Sequence, residues 1–358
     1  MRCCGGIPSP ASAASMTSGF RPFSAGLAFW LMALSAAAAP SAKFSYHGIC
    51  DASAAVALGP RHFVVADDER DVLMIYRRGE ARPVGSADLT DHLGSRRPGR
   101  KPREADIEGA AMLGARIYWI ASHGRDSGGD IEPTRYRFFA TEAVDVAGTP
   151  GVRPLATPAY DGLLRALVAE PRLAQFGLAA ASQRAPEDAD GLNIEGLAAT
   201  PSGGLLIGFR NPRPGGQALL VPLDNPREVL DAAARPVLGD GVRLDLGGRG
   251  IRSIERIGTR YVIVAGPHDD GSGSAGDFAL YTWSGRVGDA ARPVPDAPLG
   301  KRRPEALFAW AETGLVQLLS DDGSTRVDGR DCKDKAVPDR KKSFRSVEFM
   351  LPGVTAGQ

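Results

Sequence analysis

The sequence predicts an all-β fold, a β-propeller of five blades built from antiparallel strands, and three observations carry that expectation. Five segments share one pattern: polar residues, a small-residue strand, a turn, then an apolar strand ending in charged or polar residues. They are CDASAAVALGPRHFVVADDER (50–70), ADIEGAAMLGARIYWIASHGR (105–125), LNIEGLAATPSGGLLIGFRNP (192–212), RGIRSIERIGTRYVIVAGPHDD (249–270) and RPEALFAWAETGLVQLLSDDG (303–323). The units recur about every 55 residues, with one wider interval between the second and third, and repeats of that length built from strands mark radial sheet architectures. The 44 glycines and 27 prolines supply the turns that many short strands need. A degenerate sixth blade is left open by the pattern.

The chain has 358 residues, 43% of them hydrophobic, and a net charge of +1. That is ample core material for one large domain, and the balanced charge provides no overall attraction to nucleic acid or an anionic membrane. Residues 1–42 read as a signal peptide: Arg21 precedes the apolar run AGLAFWLMALSAAAA (25–39), and small residues follow around Ala38–Ala42. Met16 offers an alternative start, with MTSGFRPF as its charged lead-in. The run is too short and too alanine-rich to read as a membrane span. Export to a bacterial periplasm or beyond is expected, with a single propeller domain over residues 43–358.

Only Cys50 and Cys332 remain beyond that leader. In an oxidising compartment the pair is expected to form one disulfide clasping the first blade to the last, the alternative being two buried thiols. Additional strands are expected at YRFFATEAV (136–144), QALLVPL (217–223) and DFALYTW (277–283), and FRSVEFML (344–351) reads as a late strand near the seam. The wide interval holds an insertion, about 155–190. Within it YDGLLRALVAEPRLAQFGL (160–178) places Leu163, Leu164, Leu167 and Val168 at helical spacing until Pro171 interrupts, so two short helices are expected. Another helix is expected near 225–235, with Asp224 or Asn225 as N-cap and Pro226 in its first turn.

In a propeller the innermost strands crowd the axis, which suits Gly109, Ala110, Gly196, Ala198 and Ala199. Strand alternation puts Asp106 and Glu108 on one side and Ile107 on the other, and Asn193, Ile194 and Glu195 repeat this. The second strand returns to the level where the first began. One rim is therefore expected to collect Asp51, Asp67, Asp68, Asp106, Glu108, His123, Arg125, Asn193, Glu195, Arg210, Asn211, His268, Asp269, Glu305, Asp321 and Asp322. Two carboxylates 4 Å apart repel by about 4 kcal/mol at an effective dielectric near 20. Arginines, raised pKa values or a hard divalent cation such as calcium must offset that. The same residues also suit a structural task, satisfying backbone groups at blade turns.

HDDGSGSAGD (268–277) is acidic but lacks calcium-loop spacing, and no zinc pattern, P-loop, dinucleotide fingerprint or nucleophile elbow is present. Two basic stretches, SRRPGRKPR (95–103) and DRKKSFR (339–345), read as solvated segments, the first beside the rim.

GICDASAAVAL, FVVADDERDVL, ADIEGAA, RIYWIASHGR, GLNIEGLAATPSGGLLIGFRNP and ALLVPLDNP resemble the bacterial family catalogued as domain of unknown function 3616, over most of the chain beyond the leader. The DIEG and NIEG phrases are also similar to the Asp-x-Glu-Gly motif of phytase-like esterase propellers and to the metal-ligating Glu-Gly of gluconolactonase-type propellers. That resemblance implies metal or substrate contacts at Asp106, Glu108, Asn193 and Glu195.

Three functions follow. One is a metal-assisted hydrolase of phosphate esters or lactones, with His123 and Glu195 catalytic and Arg125, Arg210 and Asn211 holding an anionic substrate. The second is a non-catalytic module that binds a small anionic ligand or peptide at the axial rim. The third is a scaffold whose rim is purely structural.

Overall fold

The computed structural model describes residues 41–100, 102–269, 277–310 and 313–351. The leader expected over residues 1–42 lies outside them except for its last two residues, as does most of the acidic segment 268–277.

Five four-stranded antiparallel sheets form the five blades. Blade 1 contains β2 (Ala52–Leu58), β3 (His62–Asp67), β4 (Val72–Arg77) and β5 (Pro83–Asp88). Blade 2 contains β6 (Ile107–Leu113), β7 (Arg116–Ala121), β8 (Phe138–Val146) and β9 (Thr149–Pro154). Blade 3 contains β10 (Asn193–Ala199), β11 (Leu205–Asn211), β12 (Ala218–Leu223) and β13 (Val242–Leu244). Blade 4 contains β14 (Gly250–Ile257), β15 (Arg260–Gly266), β16 (Ala279–Trp283) and β17 (Arg292–Pro293). Blade 5 contains β18 (Pro304–Ala309), β19 (Leu315–Ser320) and β22 (Ser343–Met350), with β1 (Ala42–His47) as its outermost strand; the small hairpin β20–β21 (Arg326–Val327, Arg330–Asp331) lies between β19 and β22. The innermost strands β2, β6, β10, β14 and β18 contact one another in sequence around the axis, and β18 returns to β2.

All five repeat pairs are therefore blade cores, and the late strand 344–351 sits at the seam as expected. The sequence reading missed β1. Its pairing runs from Ala42↔Glu348 to His47↔Ser343, so the N-terminal strand completes the last blade. The reason is aromatic: β1 turns Tyr46 inward, fully buried, 5.4 Å from Phe344, 5.0 Å from Phe63 and 5.3 Å from Tyr76. Phe63 in turn stacks on Phe308 of blade 5 at 5.2 Å. Arg78 of blade 1 grips Glu348 of blade 5 by two hydrogen bonds, and its guanidinium lies 5.0 Å over the Trp310 ring.

The Cys50–Cys332 disulfide crosses the same seam, joining the approach to β2 with the excursion that precedes β22. Closing a loop of 282 residues constrains the unfolded chain by about 5 kcal/mol on the entropic account, an upper-end figure.

The insertion holds α1 (Leu163–Ala169), a 3-10 turn at Pro171–Phe176 and α2 (Leu178–Ala181). Leu163, Leu167, Leu173 and Leu178 pack into the core shared by blades 2 and 3, while Val168 is exposed. Helix α3 (Pro226–Ala232) follows Asn225. The Asn225 side chain does not cap the helix; it accepts from the Val237 amide and donates to the Arg235 carbonyl, pinning the segment that follows the helix.

Because Tyr46 is enclosed by rings from two blades, Tyr46→Ala is expected to lower unfolding free energy by about 3–5 kcal/mol. Urea denaturation at constant redox state reads that loss, and a loss under 1 kcal/mol would contradict an aromatic seam.

Candidate functional site

The site begins with a break in register repeated in every blade. Pairing of β2 with β3 passes from Ala52↔Asp67 to Ala54↔Ala66 and skips Ser53. The same skip occurs at Glu108 in β6, Glu195 in β10, Arg252 in β14 and Glu305 in β18. A bulged residue leaves the ladder and re-aims its side chain, so the simple alternation expected for Asp106, Ile107 and Glu108 does not hold here. Blade 3 also skips Arg210 on the partner strand.

The bulged side chains meet across blade boundaries. Ser53 Oγ donates to the Ile107 carbonyl at 2.6 Å. Arg252 reaches Glu195 on one side at 3.0 Å and pairs with Glu305 on the other. Arg210 donates to Glu195 at 2.9 Å, and Asn193 Nδ2 donates to the same carboxylate at 3.0 Å.

The small residue after each bulge is needed for this closeness. A Cβ on Gly109 would stand 2.8 Å from Ile120 and 3.1 Å from the Leu197 backbone of the next blade. One on Gly196 would stand 2.8 Å from Ile251 of blade 4.

Charge is distributed unevenly around the mouth. In blades 3 to 5 Glu195 and Glu305 are held by Arg210 and Arg252. Blades 1 and 2 gather acids faster than bases. Asp51, Asp67 and Asp68 each place one oxygen within 4.8 Å of the others, and so do Asp68, Asp106 and Glu108. Asp67 is bonded by Arg70 at 2.7 Å, and Asp106 by Arg135 at 2.7 Å. Glu108, only 8% exposed, has no hydrogen bond or ion pair among the described residues. Asp68 Oδ1 is buried without a hydrogen-bond partner among the described residues.

Burial, then the neighbouring Asp321 and Asp67 charges, push the Asp51 carboxyl up to about 9. Burial raises Asp67 to about 6 against the pull of Arg70. Asp68 and Glu108 are raised well above the usual carboxylate range, first by burial, then by Asp51 and Glu108 for Asp68 and by Asp106 and Glu195 for Glu108. Burial first, and then the Asp106 charge, raise Glu104 to about 7 against the pull of Arg135.

Of the residues expected on the rim, Asp51, Asp67, Asp68, Asp106 and Glu108 converge, and Asn193, Glu195, Arg210 and Glu305 form the adjoining ion-pair network. Asp321 joins through an antiparallel bridge to Asp51. Others are engaged elsewhere. Arg125 spends its guanidinium on the Ser182 and Gly129 carbonyls and on Gln183, tying its loop to the insertion. Asn211 donates to the Pro186 and His268 carbonyls. His268 lies 3.4 Å from Asp269. Asp322 binds Arg345.

His123 is buried with a φ of 55°. Its Nδ1 donates to the Ala121 carbonyl at 2.8 Å, and its Nε2 finds no hydrogen-bond partner among the described residues. Burial first, and Arg137 in addition, depress it to about 4, so the ring is neutral.

Arg252, Arg135 and Arg70 were missed at the sequence level. Arg252 could have been found, because RGIRS aligned on ADIEG places it opposite Glu108.

A family model described as a protein of unknown function (DUF3616) matches residues 153–301. The resemblance is therefore borne out from the end of blade 2 through blade 4, a narrower stretch than the phrases of blades 1 and 2 had suggested. No curated protein matches the sequence.

Among solved structures, a putative glucose dehydrogenase from Thermus thermophilus is 12% identical, with a TM-score of 0.41 over 87% of this chain and 100% of its own. The PQQ-bound aldose sugar dehydrogenase of Streptomyces coelicolor is 8% identical, with a TM-score of 0.40 over 87% and 99%. A luciferin-regenerating enzyme is 9% identical, with a TM-score of 0.36 over 85% and 78%.

The neutral burial of His123 has a pH signature. An unfolded histidine gains its proton near pH 6.5, whereas this ring resists protonation down to about pH 4. The contribution to stability is complete above pH 6.5 and is lost as pH falls toward 4. His123→Asn, with a side chain that tolerates positive φ, should flatten the fall in unfolding free energy across that window by up to about 3 kcal/mol. Urea unfolding at pH 6.5 and 4.5 checks this; equal slopes in both proteins would contradict it.

Proposed function

We propose that the chain is an exported propeller whose axial mouth holds a hard divalent cation such as calcium, chiefly on Asp68, Asp106 and Glu108. The single observation behind this reading is the acidic triad itself. Its three oxygens lie within 4.8 Å of one another, and oxygens around one calcium at 2.3–2.6 Å are separated by up to about 5 Å. All donors are oxygen, as such an ion requires. The buried Asp68 Oδ1 and the unbonded Glu108 carboxylate are groups that an ion would satisfy. Asn193 and Glu195 border the ion rather than hold it, since Arg210 and Arg252 already neutralise Glu195.

The proposed activity is hydrolysis of phosphate esters or lactones. A cation of this class, when bound, polarises a phosphoryl or carbonyl oxygen and acidifies water. Asp51, with an oxygen within 4.8 Å of one of Asp68, stands beside that triad and can accept a hydrogen bond from a water or substrate hydroxyl there. His123 takes no part in this reading, because its ring is committed to Ala121.

A non-catalytic binding module at the same mouth is the second reading, favoured by the burial of His123, which leaves its imidazole unexposed to a substrate. Export rests on the leader expected over residues 1–42 and on the Cys50–Cys332 bond. Among the described residues no helix is long and apolar enough to cross a membrane.

Calcium titration by calorimetry, followed by assays on p-nitrophenyl phosphate and a simple lactone, separates the readings. The expected outcome is one saturable site, lost in Glu108→Gln and kept in Glu195→Gln, with hydrolysis that follows the ion. Ion binding without hydrolysis leaves the binding module standing. No binding of calcium, magnesium, manganese or zinc would sink the ion site and the hydrolase reading with it.

A further inference from the structure

Away from the axis, a cavity of about 760 Å³ opens in the cleft where blade 1 meets blade 5, within the roughly 300–1,000 Å³ range of small-molecule sites. Val72, Met74 and Pro83 from the outer strands of blade 1 supply apolar surface. His47 at the end of β1 and Asp339 and Arg340 before β22 contribute lining from the blade 5 side. Gly48, another lining residue, has a φ of 111° that favours glycine, and a Cβ there would rest against Met74, Tyr76 and Pro83.

The lining is cationic in a selective way. Arg70 is fixed by Asp67, Asp339 and the Gly48 carbonyl. Arg82 and Arg340 also line the cavity, yet neither makes a hydrogen bond or ion pair among the described residues. The side chains of His47 and Ser86 are likewise unbonded. Among the described residues Asp339 is the one acid in the lining, and Arg70 already holds it. Two unspent guanidiniums, a hydroxyl and an imidazole thus flank an apolar surface. A planar guanidinium pairs with the two oxygens of a carboxylate or phosphate, and the apolar surface favours a ligand that carries hydrocarbon.

We propose that this seam cleft binds a small organic anion, a phosphate- or carboxylate-bearing molecule with an apolar body, through Arg82 and Arg340. The basic DRKKSFR stretch, which the axial site leaves unused, supplies one of the two cations. The site is separate from the axial mouth and does not depend on the proposed ion.

Calorimetric titration of the full chain at low salt with phenyl phosphate, benzoate and inorganic phosphate tests it, the first two separating the anion classes. Saturable binding of phenyl phosphate or benzoate, tighter than that of inorganic phosphate, is expected. Arg82→Ala and Arg340→Ala should each weaken it about tenfold, and Glu108→Gln should leave it unchanged. Neither arginine bonds to the rest of the described chain, so both variants should fold, and thermal melting confirms that. The proposal fails if neither aromatic anion saturates, if inorganic phosphate binds as tightly, or if binding survives in the double arginine variant. Binding lost only in Glu108→Gln would move the ligand to the axial mouth and also overturn it.

Discussion

Each inner strand leaves one residue out of its ladder, and the organisation of the axis depends on that residue. The skipped residues Ser53, Glu108, Glu195, Arg252 and Glu305 leave their ladders at matching positions of five successive blades. Side chains released in this way turn to the neighbouring blade, as Ser53, Arg252 and Glu305 do, or to a displaced neighbour in the same sheet, as Glu195 does with Arg210. The residue that follows must be small, because the neighbouring inner strand passes within contact distance of it. The Glu-Gly phrases therefore express a packing rule and a charge placement together.

Chemistry arises where that rule is not electrically balanced. Around blades 3, 4 and 5 the skipped positions alternate in sign, and Glu195, Arg252 and Glu305 form a chain of ion pairs reinforced by Arg210. Blade 1 offers Ser53 instead of a base, while the ends of its strands add Asp51, Asp67 and Asp68. Arg70 and Arg135 answer only part of this, since each bonds a carboxylate at the edge of the cluster. Close buried acids at these separations cost several kcal/mol if all are ionised, so protons or a cation must complete the mouth. The seam between blades 1 and 5 meets a different problem, the closure of a ring. It is solved by β1, an aromatic cluster and a disulfide, and the cleft left beside β1 is lined by cations.

Much of this was legible in the amino-acid order because propeller blades are local structures. The strand pairs, the inserted helices and the position of the late strand all follow from short-range periodicity. The Cys50–Cys332 pair followed from counting. What escaped was non-local or off-period. AKFSYH has no repeat partner nearby and pairs with residues some three hundred positions away. Arg252 was overlooked because it carries the opposite charge at the position where a glutamate was sought. His123 sits at the right strand end, but its left-handed backbone and its bond to Ala121 commit the ring. Arg125 reaches out to the insertion, whose path no periodicity specifies.

Crystals of the full chain soaked in terbium, a calcium-sized ion with strong anomalous scattering, address the asymmetry of the mouth directly. One anomalous peak is expected at the axis between blades 1 and 2, within bonding distance of Asp68, Asp106 and Glu108, with Glu195 still held by its arginines. No peak there, or a peak centred on Glu195 and Glu305 with Arg252 displaced, would contradict a charge deficit confined to the first two blades.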